Sequence, residues 1–252
     1  MADGESAINP AISGTPLPVK SDLPVRVASA VVMLALAGLA FWFGGVVLQG
    51  FIALVGFGVF AEYVGLAAKI APDPARMAGA VIIGALYVGG ATLALSLMPV
   101  PLLVAAVGLV IFTDVGAYFA GRAIGGPKIA PRISPSKTWA GLAGGMLAAA
   151  IWTAFVVLFI SYMLSALSPI GPTLRDAIGN SRIGIAALIG AVLAVAAQAG
   201  DFYESWLKRR AGVKDSSRLI PGHGGLFDRF DGLLPVAIIV GTAWAATGGS
   251  RT

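Results

Sequence analysis

Apolar residues fall in long runs separated by short polar stretches, at roughly 26–43, 46–67, 77–97, 101–121, 139–165, 183–206 and 232–248. Most reach the roughly 20 residues needed to cross the hydrocarbon of a bilayer as a helix. The pattern predicts an all-α polytopic integral membrane protein with about seven transmembrane helices and two larger polar loops, 122–138 and 207–231. Glycine recurs within the runs, where small residues let membrane helices approach closely. Residues 1–25, rich in Pro, Gly, Ser and acid, read as a flexible tail, and 26–252 as a single membrane-embedded domain. The N-terminus does not read as a signal peptide, because Asp3 and Glu5 stand where such a peptide carries positive charge.

Charge orients these spans. With the N-terminus in the cytoplasm, that side receives fourteen of the 17 Lys and Arg, and both large polar loops lie there. The site is expected to open to the cytoplasm, in a cell (inner) membrane crossed several times. The net charge of +5 is then a matter of topology, and no nucleic-acid partner is expected. The absence of cysteine excludes disulfides and thiolate metal sites. Only 12% of the chain is charged, against 58% hydrophobic. Yet Ser205 to Asp231 holds six cations, three acids and the single histidine, which marks this stretch as a site for a phosphate-rich ligand and a metal.

Acids in or near the spans sharpen that reading. An ionised carboxylate at the centre of a membrane helix costs about 2.5–3.5 kcal/mol or more, so it faces a cavity or a partner. Glu62, Asp114, Asp201 and Glu204 are such residues. Asp114, Tyr118 and Arg122 recur at steps of four, and Asp201, Glu204, Ser205 and Lys208 at steps of three and four, so each set forms a polar stripe on one helix face. Pairing of these acids with Arg122 or Lys208, to fix helix register, is the alternative role. For Glu62 a packing role stands equal to a site role.

In the second loop the glycines of Pro221-Gly222-His223-Gly224-Gly225 permit positive φ, so successive N–H groups can form a concavity for phosphate. Asp228 and Asp231 can complement a helix N-terminus. With Asp201 they also supply the hard oxygens that Mg²⁺ takes while it holds substrate phosphates. Lys208, Arg209, Lys214 and Arg229, interleaved with acids and glycines, suit electrostatic stabilisation of a polyphosphate. His223 can serve as a general base or as a donor to phosphate, and the donor role is expected. The first loop, Gly121 to Thr138, repeats glycines, hydroxyls and cations, and Ser136 or Thr138 can cap the following helix.

The run Ser205-x-Leu207-Lys208-Arg209-x4-Lys214-Asp215-x-Ser217-x2-Ile220-Pro221-x-His223-Gly224-Gly225-Leu226-x-Asp228-Arg229-Phe230-Asp231 resembles the signature of the phosphatidate cytidylyltransferases, or CDP-diacylglycerol synthases. Asp114, Tyr118, Gly121-Arg122 and Ser134-Pro135-x-Lys137-Thr138 resemble the same family, so the likeness runs from about 110 to 235. Ser136 and Ala140 depart from it, standing where the family often has lysine and glutamate. The resemblance implies transfer of a cytidylyl group from CTP to phosphatidate, giving CDP-diacylglycerol and pyrophosphate in phospholipid biosynthesis, with Mg²⁺ as cofactor. It implies catalytic roles for Asp201, Lys208, Arg209, Lys214, His223, Asp228, Arg229 and Asp231, with Asp201, Asp228 and Asp231 on the metal. Asp114, Tyr118, Arg122, Ser134, Lys137, Ser205, Gly224 and Gly225 are the expected substrate-binding residues. CTP, phosphatidate and the lipid bilayer are the expected partners, and a homodimer is one oligomeric state the sequence allows. The rival readings are a CTP-dependent lipid kinase of the polyprenol type, and a transporter, whose site is expected nearer the bilayer midplane.

Overall fold

The computed structural model describes residues 23–71, 73–167 and 182–249. The expected tail lies outside the described residues as far as position 22, and so do Lys20, Arg175 and Arg251 of the charge count.

Among the described residues, six helical units are long and apolar enough to cross a membrane. They are α1 (Leu23–Phe43), α2 (Gly45–Ile70), a continuous Pro74–Leu97 unit, α5 (Val100–Ala123), α6 (Trp139–Leu167) and α7 (Arg182–Arg210). The Pro74–Leu97 unit consists of α3 (Pro74–Gly84), a π-helical turn (Ala85–Gly89) and α4 (Gly90–Leu97). Asp73 caps it by accepting from the Arg76 N–H at 2.8 Å, and Pro74 begins it, where a missing N–H costs nothing. The seventh apolar run forms α9 (Leu233–Ala246), preceded by the single turn α8 (Phe227–Phe230). At 14 residues α9 is about 21 Å long, short of the roughly 30 Å hydrocarbon thickness. Its Leu234, Val236 and Ala237 are buried against neighbouring helices.

One departure from the all-α expectation lies in the first loop. Lys128–Ala130 (β1) and Ser134–Thr138 (β2) pair antiparallel, with Lys128 opposite Thr138 and Ala130 opposite Ser134. A turn at Pro131-Arg132 reverses the chain, and the ladder gives the backbone between two helices the hydrogen bonds it would otherwise lack. Thr138 then caps α6, its hydroxyl accepting from Gly141 N–H at 3.0 Å. Of the two capping candidates in the sequence, Thr138 is thus the one used.

Outer faces carry bulky apolar side chains such as Trp42, Leu54, Leu86 and Leu147, as lipid contact requires. Helices α5, α6 and α7 lie side by side through small residues. A Cβ on Gly144 would collide with Ala120, and one on Gly190 with Thr153 and the Ala149 carbonyl. This close approach brings the polar stripes of α5 and α7 against the hairpin.

Candidate active site

Helices α5 and α7 and the hairpin enclose a cavity of about 420 Å³, lined by Asp114, Tyr118, Arg122, Ser136, Lys137, Gln198 and Asp201 among others. This volume lies in the roughly 300–1,000 Å³ range of small-molecule sites. Lys137 is its centre. The ammonium pairs with Asp201 Oδ2 at 2.5 Å, donates to Gln198 Oε1 at 2.9 Å and lies 4.8 Å from the centroid of the Phe202 ring. Strand β2 presents Lys137 to α7, where Gln198 and Asp201 share a face three residues apart. Ser205 donates to Asp201 Oδ1 at 3.3 Å. On α5 the Arg122 guanidinium donates to the Tyr118 hydroxyl at 2.9 Å, and among the described residues no ion pair joins Asp114 to Arg122. Asp231 packs nearby, its carbonyl against the α-carbon of Gly200, where a Cβ would collide with it. Burial, and after it the negative charge of Asp201, push the Asp231 carboxyl up to about 8.

A second polar cluster stands apart from this cavity, and in it the carboxylates of Glu62 and Asp228 are satisfied internally. Glu62, buried on α2, accepts from the hydroxyls of Ser216 (2.8 Å) and Ser217 (2.6 Å) and from the backbone N–H groups of Leu226 (3.0 Å) and Phe227 (2.8 Å). Asp228 accepts from Lys208 at 2.6 Å, from the Ser216 N–H at 2.9 Å and hydroxyl at 2.8 Å, and from Gly225 N–H at 2.8 Å. Burial by itself raises the Asp228 carboxyl. The neighbouring Glu204 carboxyl, the Lys208 ammonium and the N–H groups of Gly225 and Ser216 outweigh that and hold it well below the usual carboxylate range. Lys208 also bridges to Glu204 at 2.6 Å, while Glu204 Oε1 is buried with no hydrogen-bond partner.

The structure therefore separates residues that the sequence grouped. Asp201 and Asp231 stand together, whereas Asp228 has both oxygens engaged in the second cluster. Among the described residues no three such side chains converge closely enough to hold a metal by themselves. The α7 stripe divides likewise, with Asp201 and Ser205 on the cavity side and Glu204 and Lys208 on the other. The expected phosphate concavity in the glycine loop does not form. The N–H groups of His223 and Gly224 donate to the Ile220 carbonyl at 2.9 and 3.1 Å, and that of Gly225 to Asp228. The glycines instead permit the fold, with φ of 76° at Gly222 and 85° at Gly224. Arg209 donates to the Ile133 carbonyl at 3.2 Å and so ties the two loops together, and Arg229 donates to the His223 carbonyl at 2.7 Å. Ser134 is buried in the hairpin outside the cavity lining, and Lys214 is exposed on the second loop.

Sequence reasoning passed over Gln198, Ser216 and the anchoring role of Glu62. For Gln198 the signal was a lone amide in an apolar run, three residues before Asp201. For Glu62 it was an acid near the end of a span, a position whose partners lie more than 150 residues away.

Residues 98–246 match the Cytidylyltransferase family. Over 128 residues the chain is 44% identical to a phosphatidate cytidylyltransferase of Brucella suis, covering 51% of this chain and 41% of that protein. It is 45% identical over 125 residues to one of Haemophilus influenzae (50% and 39%), and 40% identical over 151 residues to one of Pseudomonas aeruginosa (59% and 49%). The chain thus matches half or less of the length of these relatives. The matched region takes in α5, the hairpin, α6, α7 and the whole second loop, so the cavity walls and the second cluster except Glu62 lie within it, and the chain belongs to the cytidylyltransferase family.

Proposed function

We propose that the chain transfers the cytidylyl group of CTP to phosphatidate, forming CDP-diacylglycerol and pyrophosphate, at the cytoplasmic face of a cell membrane. The observation that carries this is the Lys137–Asp201–Gln198 cluster on the wall of a cavity with Arg122 beside it, in the region that matches the Cytidylyltransferase family. A phosphatidate oxygen attacks the α-phosphorus of CTP, and the bond to the leaving pyrophosphate breaks. Because both reactants are anions, the protein contributes chiefly position and positive charge. Lys137 and Arg122 supply that charge from the cavity wall. An apolar cavity of about 320 Å³, lined by Phe51, Leu103, Leu226 and Phe230 among others, lies behind the second loop, and the acyl chains can stay in apolar surroundings.

Mg²⁺ belongs to the same proposal, and the donor set fits it. Mg²⁺ commonly takes one or two carboxylates together with substrate phosphates. Asp201 and Asp231 are such a pair, and their mutual repulsion is one that a divalent cation relieves. When bound, the ion supplies neutralisation of the triphosphate charge. Calorimetric titration of Mg²⁺ in the presence of CTP tests the pair. Binding should weaken in both Asp201→Asn and Asp231→Asn, and unchanged affinity in both variants rejects the assignment.

The reaction itself is tested with phosphatidate, Mg²⁺ and CTP labelled at the α- or the γ-phosphate, following label into the lipid phase. Transfer from the α position alone is the expected result. Transfer from the γ position alone makes the chain a lipid kinase.

A further inference from the structure

His223, the only histidine of the chain, is fixed at three points. Its N–H donates to the Ile220 carbonyl at 2.9 Å, its carbonyl accepts from Arg229, and its ring Nδ1 lies 2.7 Å from Ser29 Oγ. Ser29 comes from the second turn of α1, 194 positions earlier in the chain. The start of that helix packs on the loop so closely that a Cβ at Gly222 would stand 2.7 Å from Arg26 Cγ. The same Ser29 oxygen is 3.0 Å from the Pro221 carbonyl and 3.0 Å from the Arg26 carbonyl.

These three neighbours constrain the protons. A hydroxyl has one hydrogen to give, and a carbonyl oxygen can only accept. If Ser29 donated to Nδ1, two carbonyl oxygens would face its lone pairs with no hydrogen between them. In the arrangement that makes the contacts attractive, Ser29 donates to a carbonyl and accepts from Nδ1–H. The geometry points to Ser29 as a positioning residue that holds neutral His223 in the Nδ1–H tautomer and leaves Nε2 as a bare acceptor.

Of the two roles the sequence leaves to His223, this favours the base over the donor. A neutral ring in this tautomer cannot donate to phosphate through Nε2; only the imidazolium can. It can instead accept the residual proton of a phosphomonoester, whose second pKa is about 6. That consequence rests on the cytidylyl-transfer reading, whereas the tautomer does not.

With one histidine, protein labelled with ¹⁵N-histidine gives a single pair of ring nitrogen signals. The wild-type protein in detergent, with the ring neutral, should show a protonated Nδ1 and a bare Nε2. Ser29→Ala should move the pair toward the Nε2–H form common in water, and Ser29→Thr should keep the wild-type pattern. A wild-type Nε2–H ring, or a pattern unmoved in Ser29→Ala, overturns the proposal, and the first of these needs no variant to fold. In turnover, Ser29→Ala should lower kcat on the order of tenfold, the lower end of what losing a histidine's orienting partner costs. KM for CTP should be unchanged, and Ser29→Thr should restore kcat. A tautomer that switches while kcat stays the same overturns the catalytic consequence alone. Wild-type protein that shows the expected ring but transfers no α-label refutes the cytidylyl-transfer reading instead.

Discussion

Asp201 and Asp228 each stand where an apolar run meets the charged second loop, and the fold surrounds them differently. Asp201 has a side chain 32% exposed, one ion pair with Lys137, and a place on a cavity wall. Asp228 is 8% exposed and surrounded by Lys208, Ser216 and Gly225. A carboxylate whose lone pairs the protein has already filled holds structure, and one facing space keeps capacity for a ligand. Together with Glu62, Asp228 clamps the Ser216–Phe227 segment to α2 and α7. On the cavity side Asp201 keeps partial exposure beside Asp231, whose carboxyl is pushed up by burial and by the Asp201 charge, a perturbation of a kind associated with function.

Replacing one member on each side separates the two roles. Asp201→Asn should lower α-label transfer by about 100-fold or more, the size of losing one electrostatic group at a reacting centre, and leave the thermal unfolding midpoint in detergent nearly unchanged. A parallel fall in midpoint would place Asp201 with the clamp. Asp228→Asn should lower both, with a stability loss of about 3 kcal/mol in a denaturation series, because it leaves Lys208 with Glu204 alone in a buried setting. Glu62→Gln, outside the family-matched region, should cost about 1–3 kcal/mol of stability and reduce turnover only as far as the loop loosens. Unaltered stability in that variant would break the clamp reading. Thr138→Val, which removes the α6 cap, should have the smallest effect, about 1 kcal/mol in the same series.

The two regions should also respond to pH with opposite sign. The folded-state pKa of Asp228 lies below its unfolded value of about 3.9, so its contribution is present above that pH and is lost as pH falls through the folded value. The folded-state pKa of Asp231 is raised to about 8, so its contribution is present below about 3.9 and is lost as pH rises toward 8. Unfolding midpoints measured from pH 4 to 9 should therefore decline toward the alkaline end, and Asp231→Asn should flatten that decline. A decline of equal slope in the variant would remove Asp231 as its source.

Much of this arrangement was legible in the chain. Apolar runs of membrane length, a glycine-rich loop and the Lys208-to-Asp231 signature fix the helices, the family and the neighbourhood of the chemistry, because each depends on composition or on spacing along one segment. Thr138 as a cap belongs to the same class. Residues whose partners come from distant segments were not legible. Nothing near Glu62 announces Ser216, Ser217 and Phe227, and nothing near Ser29 announces His223. The glycine loop misled for a related reason, since its N–H groups were available on paper and are taken in the fold by Ile220 and Asp228.

The sequence by itself determined which residues carry charge and hydrogen-bonding capacity, and that they collect where spans meet the two polar loops. Only the tertiary structure decided which of them satisfy one another and which remain open to a ligand. That choice depends on distances of a few ångströms between helices packed through glycine, and a one-dimensional pattern does not encode such distances. Lys208 and Lys137 show it most directly. Both are cations at the edge of the membrane domain, one between Glu204 and Asp228 and the other on the wall of the cavity.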